Sequence, residues 1–419
     1  MAESKTYYFV KSLLAIFGLV TLIGCAGIDR FGERGARSSP VPSASAPAPQ
    51  NEPGTQNVIS MPLDAPSGQN PTIIAQEAPA PQDGATVALL LPLSASGQVG
   101  ELATALRNAA EMAQSEYKGA KLRFLIKDDL GTADGARSAA RAAQAEGAQV
   151  ILGPLLSASV QAAASVIRPT GKTVIGFSTD QSVAGRGVYL LSFQPDNDVD
   201  QILAYAASKG KTSIAALIPE GIYGNVILAA FQESAGRRGL KIATIERYQT
   251  ATIDTAARAV SALTVPVDAL FIPENGDMAA AVNSALKNNG VDRKNWQILG
   301  TSAWDDPRIL KEPLFQSGWF AGPEKSGFAA FAQRYQNRFG KEPPRLASLG
   351  YDAVFLVNAL YAQYGAQAFT EATLRNPEGM LGTDGLFRFR NNGGIQRMLA
   401  IYEINNGVAR IVQNPSNQF

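Results

Sequence analysis

Histidine is absent from this sequence of 419 residues, and cysteine occurs once, at Cys25. Without histidine the chain lacks the commonest general base and the commonest metal ligand, which disfavours hydrolases and zinc enzymes. With one cysteine near its start, the remainder has neither a disulfide nor a thiolate nucleophile. These absences favour a protein that binds without catalysing a reaction.

Charge is also scarce, because charged residues make up 17% of the sequence and the formal net charge is +1. The folded region has no Lys/Arg cluster of the kind that a phosphate backbone requires. We therefore expect no nucleic-acid partner. The hydrophobic fraction of 46% is enough for large cores, and the length allows two or three domains.

Metal and nucleotide sites lack their usual patterns. Asp128-Asp129 has no clustered partner ligands and is typical of a turn at a strand end. Asp305-Asp306 precedes a proline and indicates a turn or a helix cap, and Asp352 indicates capping or packing. Gly97 and Gly100 are accompanied by neither the three-glycine fingerprint nor a Walker lysine. We expect no metal and no cofactor.

The first residues have the pattern of an export signal. Lys5 and Lys11 precede the apolar run Leu13–Ile23, which is short for a membrane span and suits the apolar region of a signal peptide. The run ends in Leu22-Ile23-Gly24-Cys25, which resembles the lipobox of bacterial lipoproteins. The alternative is an uncleaved signal anchor with an incidental cysteine.

The lipobox resemblance implies cleavage of residues 1–24 and lipidation of Cys25. Because acyl chains contribute about 0.8 kcal/mol per buried CH₂, several chains anchor a protein to a membrane. The expected location is the periplasm. Ala26-Gly27 lacks the aspartate that signals inner-membrane retention in enteric bacteria, which favours the outer membrane.

Residues 25–84 comprise Cys25 and a segment with the composition of a tether. From about Ala36 to Gly84 the sequence is dominated by Pro, Ala, Ser, Gly, Gln and Asn. Such a composition buries too little apolar surface to offset the entropy of ordering, so we predict disorder. A flexible coil of about 59 residues reaches roughly 40 Å, which lifts the folded body clear of the membrane.

From Ala85 onward, strand and helix patterns alternate. Thr86–Leu93 is a continuous apolar run, as expected for a strand buried on both faces of a parallel sheet. A helical pattern over Gly100–Tyr117 follows, and the alternation continues to Phe177. A second, similar series begins near Asp196. Right-handed crossovers then predict an α/β protein with two lobes, each a doubly wound, mainly parallel sheet.

Five short segments add a more specific pattern to this alternation. They are, in chain order, Leu89–Ser94, Asp128-Asp129, Ile151–Pro154, Tyr223-Gly224 and Gly350–Ala353. In this order and spacing they resemble the type I periplasmic binding proteins of the leucine/isoleucine/valine-binding family, over about 85–419. The resemblance implies three crossings between lobes, with one lobe near 85–197 and 325–376 and the other near 198–324 and 380–419.

The resemblance also implies a ligand site. Ligands of open α/β sheets lie beyond the carboxyl ends of the strands, where helix N-termini present free N–H groups. The family holds the ligand's α-carboxylate with two first-lobe loops and adds a tyrosine from the second lobe, where a further strand end faces the cleft. The matching ligand-binding residues here are Ser157, Ser159, Ser178, Thr179 and Tyr223, and Glu274, at another strand end of the second lobe, is added to the predicted site. Helix capping is the alternative for the loop hydroxyls, Ser157 above all.

One position departs from that family. Where the family has an acidic residue for the ligand's amino group, after the strand that ends near Arg247, this chain has Gln249–Thr252. A second group of relatives is the lipoproteins described as penicillin-binding protein activators, which share the lipobox, this fold and a Leu-Pro-Leu-Ser segment. Val188–Pro195 and Gly385–Phe389 resemble that group.

Two functions therefore stay open. The first is a non-catalytic extracytoplasmic lipoprotein that binds an amino acid or a similar small polar ligand between its lobes for transport, with an ABC transporter permease as partner. The second is regulation of peptidoglycan synthesis through contact with a cell-wall synthase. Both imply a membrane contact through the lipid anchor, and neither implies an enzyme.

Overall fold

The computed structural model of the chain describes residues 59–60, 84–119, 122–291 and 296–419. The predicted signal peptide, Cys25 and most of the predicted tether lie outside the described residues. Within this part of the chain, no helix has the length and hydropathy needed to span a membrane.

Strands and helices alternate through the folded body, as the sequence predicts. In chain order, the described strands are β1 (Ile59–Ser60), β2 (Thr86–Leu91), β3 (Arg123–Asp128), β4 (Ala148–Leu152), β5 (Thr173–Gly176), β6 (Val188–Leu190), β7 (Ser213–Pro219), β8 (Lys241–Tyr248), β9 (Ala269–Phe271), β10 (Gln297–Gly300), β11 (Trp319–Gly322), β12 (Met380–Gly382), β13 (Gly385–Phe389), β14 (Ile395–Arg397), β15 (Ala400–Asn405) and β16 (Val408–Gln413). The described α-helices are α1 (Gly97–Glu116), α2 (Ala133–Ala145), α3 (Ser157–Ile167), α4 (Pro195–Ser208), α5 (Ile222–Arg238), α6 (Ile253–Ser261), α7 (Ala279–Asn288), α8 (Pro307–Lys311), α9 (Lys325–Phe339), α10 (Ala347–Tyr364) and α11 (Glu371–Leu374). The mixed α/β fold class is confirmed.

The first lobe is built on a parallel sheet with the strand order β3-β2-β4-β5-β6. Its inner strand β2 explains the continuous apolar run in the sequence. Val87, Leu89 and Leu91 enter one core with α1, α9 and α10. Ala88 and Leu90 enter another core with α2 and α3. Helices cover both faces of the strand, so both sets of side chains have to be apolar.

The second lobe is built on a mixed sheet with the strand order β16-β15-β11-β10-β9-β7-β8. The five strands from β11 to β8 are parallel, and β15 and β16 add an antiparallel edge. Side chains of α4 and α5 fill the core on one face, and those of α6 and α7 fill the core on the other. Both lobes therefore present the carboxyl ends of parallel strands to their loops.

The chain crosses between the lobes three times. It crosses after β6 into α4, after β11 into α9, and between Arg397 and Leu399 before β15. The small sheet of β12, β13 and β14 places Met380, Phe387 and Ile395 in the core of the first lobe. The structure thus keeps residues 380–397 with the first lobe, because their apolar side chains fill its core, whereas the sequence-based division starts the second lobe at 380.

The strand β1 pairs in parallel with β12, with Ile59 beside Met380 and Ser60 beside Leu381. These two residues belong to the segment for which the composition predicts disorder. Residues 25–58 and 61–83 lie outside the described part of the chain. The disorder of that remainder stays a prediction.

Candidate functional site at the hinge

A cavity of about 210 Å³ lies where the segments that cross between the lobes meet. Its wall includes Gln194 of the first crossing, Pro323 of the second and Arg397 of the third. The second lobe contributes Asp198 and Tyr223. A solute in this cavity would touch both lobes and the hinge that joins them, so we take the cavity as the candidate site.

Arg397 is buried in the wall of this hinge cavity, with 2% of its surface exposed. Its guanidinium lies over two aromatic rings, with Cζ 4.9 Å from the ring centroid of Phe193 and 5.1 Å from that of Phe387. None of Nε, Nη1 and Nη2 has a hydrogen-bond acceptor among the described residues. Burial lowers the pKa of Arg397, while the charges of Asp384 and Asp352 raise it.

Helix α4 fixes the backbone on either side of this arginine. The amide group of Arg397 donates to Asn197 Oδ1 at 3.3 Å, and its carbonyl accepts from Gln201 Nε2 at 2.5 Å. The amide of Leu399 donates to Gln201 Oε1 at 3.1 Å. The third crossing is thereby tied to the start of the second lobe, which holds Arg397 in place at the cavity.

Two buried carboxylates lie near Arg397 but are hydrogen-bonded elsewhere. Asp384 accepts from Arg345 Nη2 at 2.5 Å. Oδ1 of Asp352 accepts from the backbone N and Oγ1 of Thr383 at 2.9 and 2.5 Å. Burial, together with the charge of Asp384, raises the pKa of Asp352 to about 7. The two acids balance Arg397 electrostatically without accepting its hydrogen bonds.

Gln194 and Asp198 add polar groups to the cavity. Both side-chain amide atoms of Gln194 are buried without a partner in the described ranges. Asp198, in the first turn of α4, accepts from the backbone N and Oγ of Ser302 at 2.9 and 2.5 Å. Burial raises the pKa of Asp198 to about 7. The nearby charge of Asp196 also raises this pKa, and the hydrogen bonds from Ser302 lower it.

A tryptophan positions the loop that carries Ser302. At Gly300, the last residue of β10, a Cβ atom would collide with the indole of Trp304, so glycine allows the ring to close over the strand end. Trp304 is fully buried, donates from Nε1 to the carbonyl of Ile272 at 2.9 Å, and packs edge-on against Phe315. This packing holds Ser302 at the wall of the cavity.

The raised pKa of Asp198 makes a pH-dependent contribution to stability that Asp198→Asn removes. The folded state keeps a proton up to about pH 7, whereas the unfolded chain releases it near pH 3.8, so wild-type stability from this group falls as the pH rises between these values. Asp198→Asn lacks this loss. We therefore expect the free energy of unfolding of the variant, relative to that of the wild type, to be about 2 kcal/mol higher at pH 6.5 than at pH 5.

Urea unfolding of both proteins at the two pH values measures this difference, and other titrating groups cancel in it. Asp134→Asn is the control, because Asp134 is exposed. If the difference in free energy of unfolding between Asp198→Asn and the wild type is the same at pH 5 and 6.5, Asp198 is already ionised in the folded protein.

The first pair of predicted site residues lies on α3. Ser157 is the first residue of this helix, whose N-cap is Leu156, and no side chain caps the helix. Ser157 therefore does not make the capping bond considered as its alternative. Ser159 is buried, and its hydroxyl donates to the carbonyl of Thr132 at 3.4 Å. Neither serine belongs to the wall of the hinge cavity.

The second predicted pair follows β5. Oγ of Ser178 accepts from the backbone amide of Asp180 at 3.1 Å, and Ser178 is largely buried. Thr179 is exposed. These two residues also lie outside the wall of the hinge cavity. Their role in ligand binding, like that of the α3 serines, stays a prediction.

The two predicted residues of the second lobe have different surroundings. Tyr223 lines the cavity, and its hydroxyl lies 3.3 Å from Oγ1 of Thr301. Glu274 is buried and accepts from the hydroxyl of Tyr248 and from the backbone amide of Asn275, the latter at 3.2 Å. Burial raises the pKa of Glu274. The structure thus brings Tyr223, but not Glu274, to the hinge cavity.

The acidic pairs make local bonds, as their sequence context predicts. Asp128 and Asp129 each accept from the backbone amide two residues later, at 2.9 and 2.8 Å. Asp306 is the N-cap of α8 and accepts from the amide of Arg308 at 2.8 Å. Across the described ranges, no group of three or more Cys, Asp or Glu side chains is arranged to hold a metal ion.

Tyr223 is the one residue of the cavity wall that the sequence predicted as a site residue, and among those it missed are Gln194, Asp198 and Arg397. Gln194 lies in the segment Val188–Pro195, whose resemblance to penicillin-binding protein activators was the only signal that marked it. Arg397 ends the short strand β14 and has no local signal, because its burial depends on the packing of a hairpin against the first lobe.

Two α/β lobes, three crossings and a cavity at the hinge, lined by both polar and apolar side chains, are the features of a two-lobed periplasmic binding protein. The family model described as periplasmic binding protein matches residues 84–409, so the chain belongs to this family. The family resemblance found in the sequence is confirmed. Comparison with curated proteins finds no match.

Solved structures with the same fold are distant in sequence. A Rhodospirillum rubrum protein described as a branched-chain amino acid ABC transporter is 19% identical with a TM-score of 0.68, over 78% of this chain and all (100%) of that one. A Desulfitobacterium hafniense ABC transporter substrate-binding protein in complex with Leu is 18% identical with a TM-score of 0.56, over 79% and 100%. Full-length LpoA of Haemophilus influenzae is 16% identical with a TM-score of 0.62, over 79% of this chain and 59% of LpoA. Such identities establish the fold alone.

Proposed function

We propose that this chain is a non-catalytic extracytoplasmic binding protein that holds a small polar solute in the hinge cavity. The observation that carries the proposal is the cavity itself, because residues of both lobes and of the crossings form its wall. A solute that contacts both lobes favours the arrangement in which they close around it. The unpaired polar atoms of Gln194 and Arg397 supply groups that a polar solute can satisfy.

An amino acid or a similar metabolite is the solute class that this proposal favours, and transport is the purpose. The support is the family membership together with the ligand and transporter names of the Desulfitobacterium hafniense and Rhodospirillum rubrum proteins. An ABC transporter permease is then the partner that receives the solute.

A lipid anchor at Cys25 completes the proposal. The support is the lipobox resemblance of Leu22–Cys25 and the tether-like composition of the residues that follow. An anchored protein with this tether stays in the periplasm while its binding body moves within reach of a membrane partner. Ala26-Gly27 favours the outer membrane.

Thermal denaturation with a panel of solutes tests the binding function. The panel contains the twenty amino acids together with short organic acids and sugars. A solute at a hundred times its dissociation constant adds about 2.7 kcal/mol to the free energy of unfolding, because it binds only the folded state. We expect at least one solute to raise the melting temperature of the wild type, and Tyr223→Phe to reduce that shift by removing a hydroxyl from the cavity.

Tyr364→Phe is the matched control, because Tyr364 is exposed at the end of α10 and lies outside the wall of the cavity. Its solute response should equal that of the wild type. If no solute in the panel shifts the wild-type melting temperature, the solute-binding function is rejected.

Regulation of a cell-wall synthase is the second candidate. It is favoured by Gln249–Thr252, which follows β8 without the carboxylate that the leucine-binding family uses for the amino group of its ligand. The C-terminal domain of Haemophilus influenzae LpoA, described as a regulator of PBP1A, shares the fold with a TM-score of 0.61, at 18% identity over 78% of this chain and 100% of the domain. A panel without any response would make this candidate the leading one.

A further inference from the structure

The unused donors of Arg397 require an explanation. A guanidinium has five N–H donors, and buried polar groups almost always find partners, because an unsatisfied one costs most of its desolvation energy. Arg397 is fully buried, yet none of its three nitrogens has an acceptor in the described part of the chain. A structural arginine would use these donors on the protein itself.

The neighbouring carboxylates do not use them. Asp384 accepts from Arg345 and from Ser348 Oγ, at 2.5 and 2.6 Å, and so has partners of its own. Asp352 is bonded through Oδ1 to Thr383, and its second oxygen, Oδ2, is buried without a hydrogen-bond partner and so does not accept from Arg397 either. The hinge therefore contains a cation that is electrostatically compensated but free to donate hydrogen bonds.

The surroundings of Arg397 suit a planar anion. The rings of Phe193 and Phe387 lie against its guanidinium, and such contacts restrict the orientation of the planar group. A carboxylate matches the fork of two parallel N–H groups that guanidinium presents at its edge. Gln194, whose amide N–H₂ is also unpaired, lies on the same cavity wall.

We infer that Arg397 is a ligand-binding residue that holds the carboxylate of a small solute in the hinge cavity, with Gln194 as a second donor. The inference rests on the proposed solute-binding function and names the chemical group that the cavity recognises. It places the anion at the third crossing, whereas the family resemblance implies the loops of Ser157 and Ser178. A carboxylate there contacts the hinge directly.

Matched pairs of acids and amides test the inference. The probes are L-leucine, butyrate and benzoate with L-leucinamide, butyramide and benzamide, measured by calorimetric titration and thermal denaturation. We expect the wild type to bind at least one acid and to bind its amide at least about tenfold more weakly. Arg397→Met should weaken the binding affinity for the acid by about 10- to 150-fold, because the variant loses a charge-assisted hydrogen bond to the carboxylate.

Arg388→Met is the control variant. It removes an arginine from the neighbouring strand β13, outside the cavity wall, and should leave acid binding unchanged. Arg397→Lys keeps the charge but loses the bidentate fork, so it should fold and bind the acid with intermediate affinity. This variant keeps the test decisive if Arg397→Met does not fold.

The outcomes separate the inference from the function on which it rests. If an acid binds the wild type and binds Arg397→Met with the same affinity, the inference is overturned and solute binding stands. If Arg397→Met does not fold, unchanged affinity in Arg397→Lys has the same meaning. Equal affinity for an acid and its amide, or binding of the neutral members alone, also overturns it. If none of the acids or amides binds, the inference is overturned, and the wider solute panel decides the function.

Discussion

Asp384→Ala should lower the free energy of unfolding by about 3 kcal/mol, because Asp384 is fully buried and compensates two arginines. Its carboxylate accepts from Arg345 at 2.5 Å and from Ser348 at 2.6 Å, and its charge acts on Arg397. Breaking a buried pair leaves the remaining charges uncompensated, which typically costs about 3–5 kcal/mol. The low end applies here, because the side chain of Arg345 is 32% exposed and regains some water.

Urea unfolding followed by circular dichroism measures this cost. Asp134→Ala is the matched control, since Asp134 is an exposed partner of Arg137 on α2 and such pairs contribute about 0.2–1 kcal/mol. In Asp384→Ala combined with Arg397→Met, part of the loss should be recovered, because the uncompensated buried charge is gone. A loss below about 1 kcal/mol in Asp384→Ala would show that water reaches these arginines after the carboxylate is removed.

Cys25→Ser should move the protein from the membrane fraction to the soluble or unprocessed fraction almost completely. In the proposed anchor the Cys25 thiol carries the lipid, and several acyl chains would contribute about 0.8 kcal/mol for each buried CH₂, so loss of the thiol would remove the whole anchor. Partition into a detergent phase and mass spectrometry of the mature chain measure the change. The residues that line the hinge cavity lie far from Cys25 along the chain, from Phe193 onward, so the solute response of this variant should match that of the wild type.

A second substitution distinguishes the position of the thiol from its mere presence. Cys25→Ser combined with Ser43→Cys restores one cysteine within the tether but outside the lipobox. This double variant should remain unanchored. Membrane association that persists in Cys25→Ser would mean that the apolar run Leu13–Ile23 holds the protein as an uncleaved signal anchor.

Sequence patterns predicted most of the elements because these elements are long enough to show a period. β2 appears as an apolar run because two cores enclose it, and α1 repeats its apolar positions every three or four residues. β6, β11, β12 and β14 were not predicted, and these strands of three or four residues show no period of their own. Their positions depend on the strands beside them in the sheet.

The candidate site was only partly predictable. Tyr223 was named from the family resemblance and lies at the hinge cavity. Asp198 lies in a helical first turn, where an acidic residue is common in any protein, so its burial against Ser302 left no trace in the sequence. Arg397 follows an ordinary strand pattern. Phe387 is its cross-strand partner in the β13–β14 hairpin, but Phe193, the other ring against its guanidinium, is far away along the chain.

The amino-acid sequence by itself determined the α/β class, the two lobes and the family, because these follow from hydrophobic periodicity and from motifs that are local in the chain. Only the tertiary structure decided that residues 380–397 belong to the first lobe and that Arg397 lies buried at the cavity without a protein acceptor. The reason is physical. Burial and hydrogen-bond satisfaction depend on which distant segments meet, and at the hinge three separate crossings meet at one point.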